Sequence, residues 1–337
     1  MRCFKFDAIK LTLMLCIACI PLQSAFGNAV DLYNLKSIED VRSAPFYALS
    51  PEDSQTLRNK VHQEIVTAIS RLNERRSMEA AQDIYSDWWC YDNEVLFETR
   101  IALELATVYK TSSSFDTARS QLFEIVAHQK EKMPDTTFEL HDNSPEAVSR
   151  YVNSMVAIDQ YWDGVVINEF ENLKKLRSNF QPDVEVLRQL VAREQCDSYS
   201  VVAKKFNTLL EEVGLLDPQK YGAMVTRQLM LIALHFDYYL DTQRLVLKHF
   251  LGLVESGQFS ERAVATLYDR VSLNVDGYQK YGTQVTCTSQ GYMPLKLESP
   301  NDLTEIRANA GMLPFDQYRK LIPGCGNQPL GGGVKFE

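Results

Sequence analysis

Apolar residues recur along this chain at intervals of three and four, and no stretch sustains an alternation at a period of two. Val61, Ile65 and Ile69 share one face of a helix predicted over 51–75. Ser50-Pro51-Glu52-Asp53 opens it with a cap, a proline at the first helical position and two acids in the first turn. A helical pair follows over 93–132, with Leu103, Ala106 and Tyr109 before the polar turn Thr111-Ser112-Ser113-Ser114 and Phe115, Ala118, Leu122 and Ile125 after it. The spacing of Leu105, Tyr109 and Ala118 is that of one tetratricopeptide unit, but no second copy follows at the ~34-residue period. One unit builds no groove, so a single αα-hairpin is expected.

Ser144-Pro145-Glu146 predicts a further helix to about 176, with Asp159-Gln160 beside Tyr161 and Trp162 inside it. Gln181-Pro182-Asp183 restarts the chain and predicts helices over 183–195 and 198–213, the second stopped by Gly214. The next predicted helix, 220–239, is apolar nearly all round from Leu229 to Leu234, which marks it as central and buried. A turn near 240 leads to a helix carrying Leu247, Phe250, Leu251 and Val254. Gly257 and Ser260 then supply a turn and a cap for a third helix, with Val264, Leu267, Tyr268 and Val271 as its buried stripe. The expected fold is therefore all-α: stacked antiparallel helical hairpins with a long irregular loop near 275–300.

Polar residues interrupt this frame where packing does not call for them: His235, Asp237, Gln243, Asp269, Arg270, Gln279, Tyr281, Thr283, Gln284 and Arg307. Pairing the three helices antiparallel brings His235, Gln243, Asp269 and Arg270 to roughly one height. At ~100° per residue Asp269 points away from the buried stripe. It then lies in solvent, or beneath the following loop if that loop folds back. The loop Asp276-Gly277-Tyr278-Gln279-Lys280-Tyr281-Gly282-Thr283-Gln284 is rich in amide and hydroxyl donors, with glycines for tight turns.

Composition adds a compartment. Arg2, Lys5 and Lys10 precede an apolar run over 11–22, and Ser24-Ala25-Phe26-Gly27 places small residues where a signal peptidase inspects the chain. The run is short of the ~20 residues that span a bilayer, so a cleaved signal over 1–27 is expected rather than an anchor. Cys16, where a lipobox prefers leucine, argues against a lipoprotein attached through Cys19. The expected product is secreted or periplasmic, with no membrane span. It comprises a helical N-terminal region over 28–143, a signature domain over 144–325 and a tail over 326–337. The signal carries a net +2, so its loss moves the formal charge from −9 to −11. An acidic product without a basic cluster is a poor partner for nucleic acid.

Cys90, Cys196, Cys287 and Cys325 remain after cleavage. An even count in an oxidising compartment suggests two disulfides, with three possible connectivities. Pairing Cys287 with Cys325 and Cys90 with Cys196 is favoured, because the first pair closes a Gly-containing, weakly periodic loop and would restrain the unfolded chain by about 3–4 kcal/mol. Four free thiols would lack any zinc-like CxxC spacing. The cluster Ile84, Tyr85, Trp88, Trp89 and Tyr91 beside Cys90 reads either as packing around a disulfide or as a sugar-stacking platform.

The order His235-x-Asp237, Gln243, Asp269-Arg270, Gln279-x-Tyr281-Gly282-Thr283-Gln284, Arg307 and Gly311-Met312-Leu313-Pro314 with Tyr318 resembles an uncharacterised bacterial domain family. That family's pattern runs QHxD, Q, DR, QxYGTQ, RR and GLxP. The resemblance covers about 150–320. Asn207, Leu210 and Gly214 fit its upstream helix and Asp159-Gln160 its earlier acidic–glutamine pair. The chain departs from the pattern at Leu234, Ile306 and Met312. The resemblance implies no activity.

Three functions suit these residues. As a binding protein, the chain would hold a small envelope ligand, a peptide or glycan fragment, with Asp237, Gln243, Arg270, Gln279, Thr283, Gln284 and Arg307 as polar contacts and Tyr278 and Tyr281 as walls. As a hydrolase-type enzyme it would use His235 as general base, oriented by Asp237 or Asp269, with Thr283 the neighbouring hydroxyl. As a structural network, the same side chains would fasten the 275–300 loop. No cofactor is implied, and no metal, since His235 and His249 are not level.

Overall fold

The computed structural model describes residues 35–72, 93–162, 164–165, 181–237, 239–288 and 290–322. The expected signal, the aromatic cluster over 84–91 and the C-terminal tail lie outside the described residues. The fold is all-α as expected, with twelve helices and one short hairpin among the described residues. No helix of the described residues is long and apolar enough to cross a membrane.

The chain divides into two compact units. The first takes residues 1–64 and 93–119. Its helices are α1 (Ile38–Ser43), most of α2 (Pro51–Leu72), α3 (Glu94–Leu105) and the start of α4 (Ser112–Lys130). Ser50 caps α2 as expected, its Oγ accepting from the Asp53 N–H at 3.0 Å. Val41, Phe46, Leu57, Val61, Ile101 and Phe115 are buried here, while the side chain of Ile69 lies outside the description. Glu98, almost wholly buried on α3, accepts from Arg42 at 3.0 Å and also from Arg119. Glu104 accepts from Arg58 at 2.7 Å and lies 3.1 Å from Arg100. Buried charges are thus paired within the unit, which offsets their loss of hydration.

The second unit takes residues 65–92 and everything from 120. Its frame is α5 (Pro145–Asp159), α6 (Gln181–Glu212), α7 (Pro218–Tyr221), α8 (Ala223–Ala233), α9 (Leu240–Glu255) and α10 (Glu261–Asp276). Val152, Met155, Phe206, Leu229, Ile232 and Phe236 belong to its core cluster, with Val246, Phe250 and Leu267 from α9 and α10. Caps explain the helix starts: Ser144 Oγ accepts from the Ala147 N–H and Ser260 Oγ from the Ala263 N–H, each at 3.3 Å.

Four predicted elements need correction. α6 is one helix of 32 residues, about 48 Å long at 1.5 Å per residue, because Glu194 to Ser198 contain neither glycine nor proline to break it. α5 ends at Asp159 with Gln160 as its C-cap, residues 161, 162, 164 and 165 are helical again, and the rest of the span expected to 176 lies outside the described residues. The helix expected over 220–239 is two: Gly222 at φ 87° separates α7 from α8, and α8 stops at Ala233. There a tighter backbone turn follows, in which the Phe236 N–H donates to the Ala233 carbonyl at 3.2 Å, and Gln243 Nε2 donates to the same carbonyl at 3.0 Å. His235 and Asp237 consequently sit in a turn rather than on a helix.

Finally, the loop expected to be irregular contains a two-stranded antiparallel hairpin, β1 (Val285–Thr288) and β2 (Gly291–Pro294), registered from Val285 opposite Pro294 to Thr288 opposite Gly291. α11 (Leu303–Asn309) and α12 (Phe315–Tyr318) complete the described chain.

Phe236 is fully buried and meets Phe206 edge-to-face at 5.1 Å between centroids. Phe236→Ala is expected to lower unfolding free energy by about 3–5 kcal/mol in urea titrations. Exposed Met224→Ala should change it by no more than about 0.5 kcal/mol.

Candidate functional site

The polar residues fall into two hydrogen-bonded groups. The larger is built around Asp269, which lies on α10 with no solvent exposure. The loop folds back over it. Asp269 Oδ1 accepts from the N–H groups of Lys280 and Tyr281, both at 2.9 Å, and Oδ2 accepts from the N–H and hydroxyl of Thr283, both at 2.8 Å. Burial pushes this carboxyl above the ordinary aspartate range, and the four donors pull it back. Gly282 supplies the required bend at φ 68°.

Around that knot Gln279, Tyr281 and Arg307 each have partners. Gln279 Nε2 donates to the carbonyls of Gln284 at 2.7 Å and Leu295 at 3.1 Å, while its Oε1 accepts from the Gln284 N–H at 2.9 Å. The Gln279 backbone closes the base of the hairpin through Lys296 and Glu298, each at 2.9 Å. Arg307, only 1% exposed, donates through Nη1 to the Tyr281 carbonyl and through Nε to the Leu313 carbonyl, each at 2.6 Å. Its guanidinium lies 4.8 Å from the Tyr318 ring centroid. Tyr281 is buried against Tyr268, with ring centroids 5.5 Å apart, and its hydroxyl donates to Glu261.

Asp237 sits beside this group. Arg270 grips it bidentately, with Nε donating to Oδ1 at 3.0 Å and Nη2 to Oδ2. Oδ1 also accepts from Asn274 at 2.6 Å and from Gln243 at 3.2 Å. Arg270 Nη1 reaches Gln284 Oε1 at 3.3 Å, which joins the helices to the loop. Asn274 was missed in the sequence. One turn after Arg270 on the same helix, it was legible only as an i+4 neighbour.

The second group centres on His235. Its Nδ1 lies 2.8 Å from Oδ1 of Asp159, a carboxylate with no exposure, while the imidazole side chain is 24% exposed. Gln160 Nε2 donates to the other carboxylate oxygen at 2.6 Å. Tyr199 from α6 stacks on the ring at 4.9 Å and 17°, and its hydroxyl accepts from Gln195 at 2.6 Å. The carboxylate that orients His235 is therefore Asp159. Asp237 and Asp269, the expected partners, are taken by Arg270 and by the loop.

Two other expected roles change with this geometry. The Thr283 hydroxyl is committed to Asp269 and buried, which removes it as a nucleophile, and Tyr281 is a core residue rather than a pocket wall. Tyr278 is half-buried. His249 is held by the Leu216 carbonyl at 3.0 Å. Among the described residues no group of three or more histidines, cysteines or acids could hold a metal ion. Cys90, Cys325 and the side chain of Cys287 lie outside the description, so no complete pair falls within it. Comparison with protein-family models, curated proteins and solved structures found no match.

Two outcomes follow for this site. Asp269→Asn turns an amide donor toward buried loop donors and should cost about 2–4 kcal/mol in urea unfolding, more than Gln284→Ala. Burial and the Glu261 hydrogen bond push the Tyr281 phenol up to about 12. Its stabilising contribution is then complete below the ordinary tyrosine value near 10 and is lost as pH rises through about 12. Ultraviolet titration should show a tyrosine titrating near 12 that Tyr281→Phe removes, together with a shallower loss of stability across that window.

Proposed function

We propose that this is an exported bacterial protein, a member of the uncharacterised domain family that its signature resembles, which binds a small polar ligand of the cell envelope. The ligand class is a peptide or glycan fragment. The face that contacts it is narrower than the signature, since most signature side chains are buried and spent on fastening the 275–300 loop. His235, Arg270 and Gln284 keep partial exposure, and Tyr278 in the same loop as Gln284 is half-buried too.

One observation carries this reading: each half-exposed polar group is braced by a buried one. Asp159 holds His235, Asp237 holds Arg270, and Gln279 holds the Gln284 backbone. Such bracing fixes a binding group in advance and lowers the entropy lost on association. Because Asp237 neutralises Arg270, the face offers directed hydrogen bonds rather than net charge, which suits amide and hydroxyl groups.

Export is supported by the N-terminal residues and by the even count of cysteines after them, which suits disulfides formed in an oxidising compartment. The pairing we favour remains Cys90 with Cys196 and Cys287 with Cys325.

Thermal-shift screening of the mature protein against peptidoglycan-derived peptides, muropeptides and short glycans tests the reading. A raised Tm is expected with at least one class. Gln284→Ala should weaken that ligand by about tenfold, the scale of one or two lost hydrogen bonds. A flat response across the whole panel would sink the proposal.

A further inference from the structure

We infer that Asp159 and His235 form an acid–base dyad that acts on the bound ligand, with Asp159 as the positioning residue and His235 as the general base. The substrate class is an acyl compound, an ester or amide of the proposed envelope fragment. The inference rests on the proposed ligand face for that identity alone.

Three features separate this histidine from a packed core residue. Its orienting carboxylate is wholly buried, yet the ring itself is 24% exposed. The carboxylate is fixed in turn, because Gln160 Nε2 holds the oxygen that His235 does not use. The ring plane is set by Tyr199 stacked 4.9 Å away, and Gln195 holds that tyrosine's hydroxyl at 2.6 Å. α5, α6 and the turn after α8 thus each contribute one part of the arrangement. A hydrogen bond from Nδ1–H to Asp159 leaves the neutral ring with its basic lone pair on Nε2.

The step this permits is balanced without any added reagent. Nε2 takes a proton from a water or ligand hydroxyl, and the oxygen's electron pair adds to the acyl carbon. The same proton then passes to the departing nitrogen or oxygen as its bond to that carbon breaks. Asp159 keeps its hydrogen bond throughout and takes no proton, stabilising the imidazolium that forms in between.

The test uses the mature protein without any envelope ligand. Nitrogen NMR of labelled histidine should show neutral His235 as the Nδ1–H tautomer. Diethyl pyrocarbonate then serves as a small acyl probe at neutral pH, with modified sites read by peptide mass spectrometry. His235 should be acylated at least about threefold faster than His128, although the His128 side chain is 63% exposed. In Asp159→Asn that advantage should disappear.

An Nε2–H tautomer, or His235 reacting more slowly than His128, overturns the dyad, and both are read on the wild-type chain even if the variant does not fold. An advantage that survives in a folded Asp159→Asn removes Asp159 from its assigned role. Neither arm contains an envelope fragment, so failure here is distinct from a flat ligand screen.

Discussion

The second unit depends on a buried carboxylate at Asp269 that finds its donors in a loop. A charge without solvent contact is costly unless hydrogen bonds replace its hydration. Asp269 obtains four, and all come from residues 280–283. The helix cannot bury this side chain without the loop, and the loop has no comparable anchor without the carboxylate. Gly282 permits the bend, and Arg307 closes the far side through the Tyr281 carbonyl.

The same logic repeats at Asp237 with a different solution. There a guanidinium supplies the fork, and Asn274 and Gln243 fill the remaining acceptor capacity. Gln243 also takes the last carbonyl of α8, so the end of one helix is tied to the start of the next. Beside that tie the chain turns over 234–237, and the turn presents His235 toward Asp159 and Tyr199 of α5 and α6.

The all-α frame was legible because the three-and-four spacing and the caps Ser50, Ser144 and Ser260 carry local information. Asp269 pointing away from its helix's apolar stripe was a readable anomaly, and the donor-rich loop offered one resolution of it. What escaped was set by tertiary contact. Asp159 lies 76 residues from His235, and nothing in the spacing distinguished it from Asp237 as the orienting acid. The early stop of α8 has no local breaker, and its last carbonyl is shared by the Phe236 N–H and by a side chain ten residues onward. Thr283 looked like an available hydroxyl only because its partner is remote in the chain.

The hairpin β1–β2 stands outside this economy of anchors. Gln279 pins both of its ends, bonding to Gln284 and Leu295, so its base is fixed by the loop that wraps Asp269. A change of chain length beyond that base leaves the four donors to Asp269, all within 280–283, in their places.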